Sequence, residues 1–168
     1  MNSSMINDHL IAWAKYQQAR SELLDYLFVR QSNRDPMAEF AEILVRDLVG
    51  GRLAPSRTEK GWDVQTEQGE KIQVRYLANR SDTWGNWHWV SSSELWDWYA
   101  LVIFVDLQPL AVHMFPSADL SLICANLKKR HADQDRLLSY TYGNFVAIRK
   151  EPARFEELGM RVFDLDVK

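Results

Sequence analysis

Gly61-Trp62-Asp63-Val64, then Glu67-Gln68-Gly69-Glu70, then Lys71-Ile72-Gln73-Val74-Arg75-Tyr76-Leu77 is the stretch on which the fold turns. Its apolar residues recur at every second position and a glycine-containing turn divides it, so it predicts a β-hairpin. Side chains alternate across a sheet, which puts Ile72 and Val74 on one face and Lys71, Gln73 and Arg75 on the other. Pairing across the turn then carries Asp63 towards Gln73.

Upstream, the spacing predicts an N-terminal amphipathic helix over about residues 8–31, with Leu10, Ile11, Ala14, Leu23, Leu24, Leu27 and Phe28 at helical intervals. Asn33-Arg34-Asp35-Pro36 offers Asp35 as N-cap and Pro36 as first helical residue of a second helix. That helix runs through Phe40, Ala41, Ile43, Leu44, Val45 and Leu48 and stops at Gly50-Gly51. Downstream, Ser91-Ser92-Ser93-Glu94 has the spacing of a capping box and predicts a short helix into Leu95 and Trp96. Residues 99–105, YALVIFV, form a continuous apolar run that suits a central strand buried on both faces. Leu110 to Phe115 reads as its partner strand, 117–130 as a helix, 144–148 as extended and 152–158 as helical. This order predicts an α/β fold with a central mixed sheet flanked by helices and an extra N-terminal helix. With 168 residues and no long linker, the chain reads as one domain, with a core over about 36–115 and a C-terminal α/β extension over about 116–168.

Composition narrows the function classes. Hydrophobic residues are 46% and charged ones 26% of the chain, the balance of a soluble globular protein. The first residues, Met1 to Asp8, show no basic-then-apolar leader and no stretch is long enough to span a bilayer, so the cytoplasm is the expected compartment and no membrane partner is expected. The single cysteine, Cys124, lies in an apolar run and excludes an internal disulfide framework. A net charge of −3 gives no global basic field, so any phosphate contact must be local. Arg46, Arg52, Arg57, Lys60, Lys71, Arg75 and Arg80 gather around the hairpin, but Asp47, Glu59, Asp63, Glu67 and Glu70 are interleaved with them.

The chemistry sits on the hairpin. One carboxylate, one amide oxygen, a backbone carbonyl and solvent make a reasonable half-shell for magnesium, which prefers oxygen ligands and retains several waters. A cation held there lowers the pKa of bound water and stabilises charge on a phosphoryl oxygen, and Arg75 beside it supplies hydrogen bonds to phosphate. A helix carrying Glu, then Asp, then (Asp/Glu/Gln)-x-Lys across a hairpin resembles the PD-(D/E)XK nuclease superfamily, and most of all its small bacterial restriction-endonuclease-like members. The matching text is residues 38–45 (AEFAEILV), 53–56 (LAPS), 61–63 (GWD) and 69–75 (GEKIQVR), within a resemblance that spans about 38–115.

The resemblance implies a restriction-endonuclease-like core and a metal-dependent endonuclease that hydrolyses DNA phosphodiesters in restriction or repair. Catalytic positions would be Glu42, Asp63, Gln73 and Arg75, with Asp63, Gln73 and Glu42 around Mg2+ or Mn2+. Arg57, Lys60, Lys71 and Arg80 are candidates for substrate contacts. Arg75 departs from the family's Lys: a guanidinium keeps its charge at any workable pH and cannot be a general base. The alternative reading is therefore a weakened or inactive nuclease-fold module that binds DNA or a protein partner, and a third is a scaffold in a larger defence complex. One site per chain makes a symmetric homodimer one route to cutting both strands, with the N-terminal helix available for it.

Other signals have plainer readings beside the functional ones. Five of the seven tryptophans lie between Trp84 and Trp98, and Trp84, Trp87 and Trp89 suit a base-stacking platform or, more simply, core packing. The histidines, His9, His88, His113 and His131, show no metal spacing, and Ser91 to Ser93 with His88 lack the glycine elbow of a hydrolase nucleophile. Lys128, Lys129, Arg130 and His131 suit either phosphate or the end of a helix dipole.

Overall fold

Trp98–Val105 forms β5, and it is the strand around which the molecule is layered. Its residues from Tyr99 to Phe104 are all buried, as an uninterrupted apolar run requires of a strand covered on both faces. On one side it pairs in parallel with β3 (Lys71–Asn79), and on the other antiparallel with β6 (Gln108–Pro116). The β5–β6 turn has Asp106 and Leu107 both at positive φ, 49° and 64°, the two-residue geometry whose twist matches a hairpin. The computed structural model describes residues 3–55, 61–127 and 137–165, with side chains from Ile6 onward.

Among those residues the main sheet has six strands in the order β1 (Gly51–Leu53), β2 (Val64–Thr66), β3, β5, β6 and β8 (Arg161–Asp164). Only β3 and β5 run parallel, so the sheet is mixed. The helix α2 (Pro36–Val49) covers one face with Ala41 and Val45 packed on Val64, Ile72, Val74, Ala100, Val102, Val112 and Met114. The opposite face carries α3 (Leu120–Asn126), α4 (Tyr142–Lys150), α5 (Pro152–Glu157) and a two-stranded sheet of β4 (His88–Ser91) with β7 (Leu137–Tyr140). Leu101, Ile103, Phe115, Leu120, Ile123, Leu138, Phe145, Ile148 and Phe155 fill that second core, and Cys124 is buried within it. The far edge is clamped to the hairpin turn, since Glu70 accepts from Trp98 Nε1 (2.9 Å) and Arg161 Nη2 (3.2 Å) while Arg161 lies 4.0 Å above the Trp98 ring.

Several local expectations are met for the reasons given. Asp35 accepts from Met37 N at 3.0 Å, Pro36 opens α2, and Gly50 closes it at φ 65°. Others need correction. No helix forms over 91–96: Ser93 Oγ accepts from Leu95 N (3.1 Å), and Ser93 is tied to Ser117 by its own N–H (3.3 Å) and by its carbonyl (3.0 Å), so tertiary bonds take the groups a capping box would use. Residues 144–148 are helical, not extended, because Phe145 and Ile148 at i, i+3 turn one face of α4 into the second core. The helix expected over 117–130 is described as Leu120–Asn126, with 128–130 outside the described residues.

The N-terminal helix, α1, spans Ser3–Tyr26 instead of about 8–31 and ends where Phe28 adopts φ 59°. Its amphipathic reading holds only in part: Leu24 and Leu27 are buried, whereas Leu10, Ile11, Leu23 and Phe28 are exposed. No helix among the described residues is long and apolar enough to cross a membrane.

Leu101 is fully buried where β5 faces the second core, whereas Leu122 on α3 is half-exposed. Leu101→Ala is expected to destabilise the protein by about 2–5 kcal/mol and Leu122→Ala by no more than about 0.5 kcal/mol, read from urea unfolding midpoints at unchanged slope.

Candidate functional site

The hairpin register sets Val64 against Ile72, which leaves Asp63, one residue earlier, level with Gln73. Asp63 N donates to Ile72 O and its carbonyl accepts from Ala54 N, both at 2.8 Å, so its backbone is fixed from both neighbouring strands. The carboxylate turns onto β3: Oδ2 accepts from Val74 N at 2.8 Å and from Gln73 Nε2, with Arg75 Nη1 at 3.5 Å. Arg75 Nη1 also donates to Val74 O at 2.7 Å. Asp63, Gln73 and Arg75 thus converge as the alternation in the sequence implies. Solvent reaches them, with the Asp63 side chain 18% and the Arg75 side chain 50% exposed, while Gln73 is buried.

Glu42 lies on the second turn of α2, almost wholly buried, and Arg34 grips it with both terminal nitrogens, Nη1 to Oε2 at 2.9 Å and Nη2 to Oε1. The same guanidinium stands 3.7 Å from Glu39, another buried carboxylate on that helix face. Arg34 was not among the sequence candidates. It sits outside the helix, just before the N-cap, and no periodicity marks it as the partner of a residue eight positions on.

The two acids interact electrostatically. Burial, followed by the Glu42 charge, pushes the Asp63 carboxyl above its ordinary value, against the downward pull of the Val74 N–H and of the Arg75 and Arg34 guanidiniums. Two further side chains belong to this field. The parallel register sets Tyr99 against Gln73, so Tyr99 faces the same side as Gln73 and Arg75, and its hydroxyl meets His88 Nε2. Burial raises the Tyr99 hydroxyl to about 12, Arg75 opposing; burial and then the Arg75 charge lower the His88 imidazole, which is neutral at pH 7. Only the β3–β5 pairing brings Tyr99 in.

The remaining candidates separate from this centre. Lys71 is exposed and its ammonium lies 5.8 Å over the Trp62 ring, while Arg80 pairs with Asp82 at 3.0 Å. Arg57 and Lys60 lie outside the described residues, as do Lys128, Lys129, Arg130 and His131. Trp84 stacks on Phe145 and packs against the second core, which is the plainer of its two readings. Trp87 is half-exposed and stands edge-on to Trp89. His113 is fully buried and bonds Tyr140 Oη at 2.9 Å, a core role.

As a cation site the donor set is sparse. Asp63 offers a carboxylate oxygen and Gln73 an amide oxygen after a half-turn of its amide, but the Val74 carbonyl already accepts from Arg75 and Glu42 is engaged by Arg34. No group of three or more His, Cys, Asp or Glu suited to a metal occurs among the described residues. Two or three oxygens with water completing the shell suit weakly held Mg2+ or Mn2+ better than a tight site. No protein-family model matches this chain, and no curated protein is similar to it.

Arg34→Met would leave the buried Glu42 carboxylate without its bidentate cation and is expected to cost about 3 kcal/mol, the low end for such a pair because Arg34 itself reaches solvent. Adding Glu42→Gln should recover most of that loss, and a double-mutant cycle in urea measures the coupling. The pH response of Asp63 has a definite sign. A carboxyl whose pKa is higher folded than unfolded binds more protons in the native state, so its contribution falls as pH rises from the ordinary 3.8 through the raised folded value. Asp63→Asn is therefore expected to raise the melting temperature at pH 7, and the gain should vanish below about pH 4.

Proposed function

We propose that the chain is a PD-(D/E)XK-type endonuclease that hydrolyses DNA phosphodiesters with a weakly held divalent cation. The observation that supports this reading is the solvent-reachable convergence of the Asp63 carboxylate, the Gln73 amide and the Arg75 guanidinium on neighbouring strands, coupled to Glu42 on the covering helix. A bound Mg2+ or Mn2+ would supply an activated water and neutralise charge on the scissile phosphate.

The protein's own groups define the rest. Asp63 and Gln73 would hold the cation, and Arg75, by giving up its bonds to Asp63 and the Val74 carbonyl, would donate to a phosphate oxygen. Its permanent charge stabilises the transition state and removes no proton from water. Glu42, neutralised by Arg34, acts on the field at Asp63 and not as a strong metal ligand. Cation binding competes with the proton that burial favours on Asp63, so activity should rise with pH as that carboxyl ionises.

The compensation of both acids by guanidiniums favours a second reading, a module that binds DNA through Arg75 without cutting it. Plasmid nicking by the purified protein in Mg2+ or Mn2+ separates the two. The nuclease reading expects slow, metal-dependent nicking, abolished in Asp63→Ala and accelerated about tenfold or more in Arg75→Lys. Absence of nicking by all three proteins, with DNA binding that weakens as salt rises, would leave only the binding module.

A further inference from the structure

Hydrolysis of a phosphodiester needs a group to take the proton of the attacking water, and the centre around Asp63 leaves that place unfilled. Arg75 keeps its charge, the Gln73 side chain is a neutral amide, and Glu42 is gripped by Arg34. Asp63 is the acid whose oxygens a cation would take. A neutral imidazole stands beside this group.

In the parallel register Tyr99 is level with Gln73 on a strand about 4.8 Å away, so the two side chains project together from one face of the sheet. His88, the first residue of β4, is partly buried and meets the Tyr99 hydroxyl through Nε2, with the ring centroids 5.8 Å apart. The Tyr99 oxygen has a second neighbour, the Trp89 carbonyl at 3.5 Å. With the hydroxyl proton directed to that carbonyl, the Tyr99 oxygen accepts Nε2–H, which assigns the tautomer and leaves the lone pair on Nδ1. Among the described residues Nδ1 has no hydrogen-bond partner, and it is not sealed from water. The ionisable groups set around the ring are Arg75 from β3, Tyr99 from β5, Asp63 beside β2 and the cross-strand neighbour Tyr140 from β7, with His113 behind Tyr140. Burial keeps Tyr140 and Tyr99 protonated, and burial followed by the Arg149 charge pushes His113 down to about 3. Near neutral pH the charges in this field are therefore those of Arg75 and Asp63. The Arg75 charge helps to hold His88 unprotonated and ready to accept.

We infer that His88, held by Tyr99 beside Arg75, is the proton acceptor of this centre, taking through Nδ1 the proton that Arg75 cannot. The inference rests on the nuclease reading. The water oxygen bonds to phosphorus, its proton passes to Nδ1, and the bond from phosphorus to the departing sugar oxygen breaks, that oxygen taking a proton from solvent. The imidazolium keeps its Nε2–H bond to Tyr99 and returns the Nδ1 proton to solvent.

Single-turnover nicking of plasmid DNA in Mg2+ or Mn2+ tests it. His88→Ala should slow the step about 100-fold or more with DNA affinity unchanged within about twofold, and added imidazole should restore much of the rate in His88→Ala and none in Asp63→Ala. His88→Gln, which can still donate to Tyr99, should be equally slow, and Tyr99→Phe should lose about tenfold. Without DNA or metal, the His88 ring resonance in NMR should titrate below the ordinary 6.5 and move upward in Arg75→Met. Wild-type nicking that His88→Gln leaves unchanged, a loss in His88→Ala that imidazole does not repair, or a His88 resonance unmoved in Arg75→Met overturns the inference while the nuclease reading stands. Nicking confined to Arg75→Lys likewise overturns this inference alone, and absence of nicking by both the wild type and Arg75→Lys overturns both.

Discussion

The parallel pairing of β3 with β5 is the constraint on which the rest depends. It fixes eight residue pairs, from Ile72 with Trp98 to Asn79 with Val105, in the middle of the sheet. Because side chains alternate, one register assigns Ile72, Val74, Ala100 and Val102 to the core under α2, and Leu77, Leu101 and Ile103 to the core under α3 to α5. The same register brings Tyr99 level with Gln73. A shift by one residue would exchange the faces, bury the Arg75 guanidinium against α2 and expose the apolar set.

Electrostatically, the centre is a compensated cluster. Burial and then the Glu42 charge raise the cost of ionising Asp63, and Arg75 and Arg34 each pair with one of the two acids. Pairing makes buried acids tolerable, but it also spends the lone pairs that a divalent cation would use. Arg75 is the adjustable member: its side chain is half-exposed, and its partners are one carboxylate at 3.5 Å and one carbonyl. Arg34, locked in a two-point grip on a buried carboxylate, has no such freedom.

Where sequence patterns are local, they translate directly into structure. Asp35-Pro36 and Gly50 bound α2 because a cap acts on backbone groups within a few residues. The hairpin around Gly69 and the buried run of β5 follow from period and composition alone. Where a local signal competes with distant partners, it loses. Ser91 to Glu94 has the spacing of a helix start, yet Ser93 bonds Ser117 and Asp97 bonds Lys71, and the segment becomes a loop leading into β5.

By itself, then, the sequence determined the α/β class, the hairpin, and the common face of Gln73 and Arg75 beside Asp63, since these depend on residues close together in the chain. Only tertiary structure decided that Arg34 neutralises Glu42, that Tyr99 and His88 share the field of Arg75, and that residues 6–19 of α1 stay exposed. Period and capping specify backbone geometry one element at a time. Which charges meet, and which apolar stripes remain uncovered, is settled by how remote elements pack, and no local pattern carries that information.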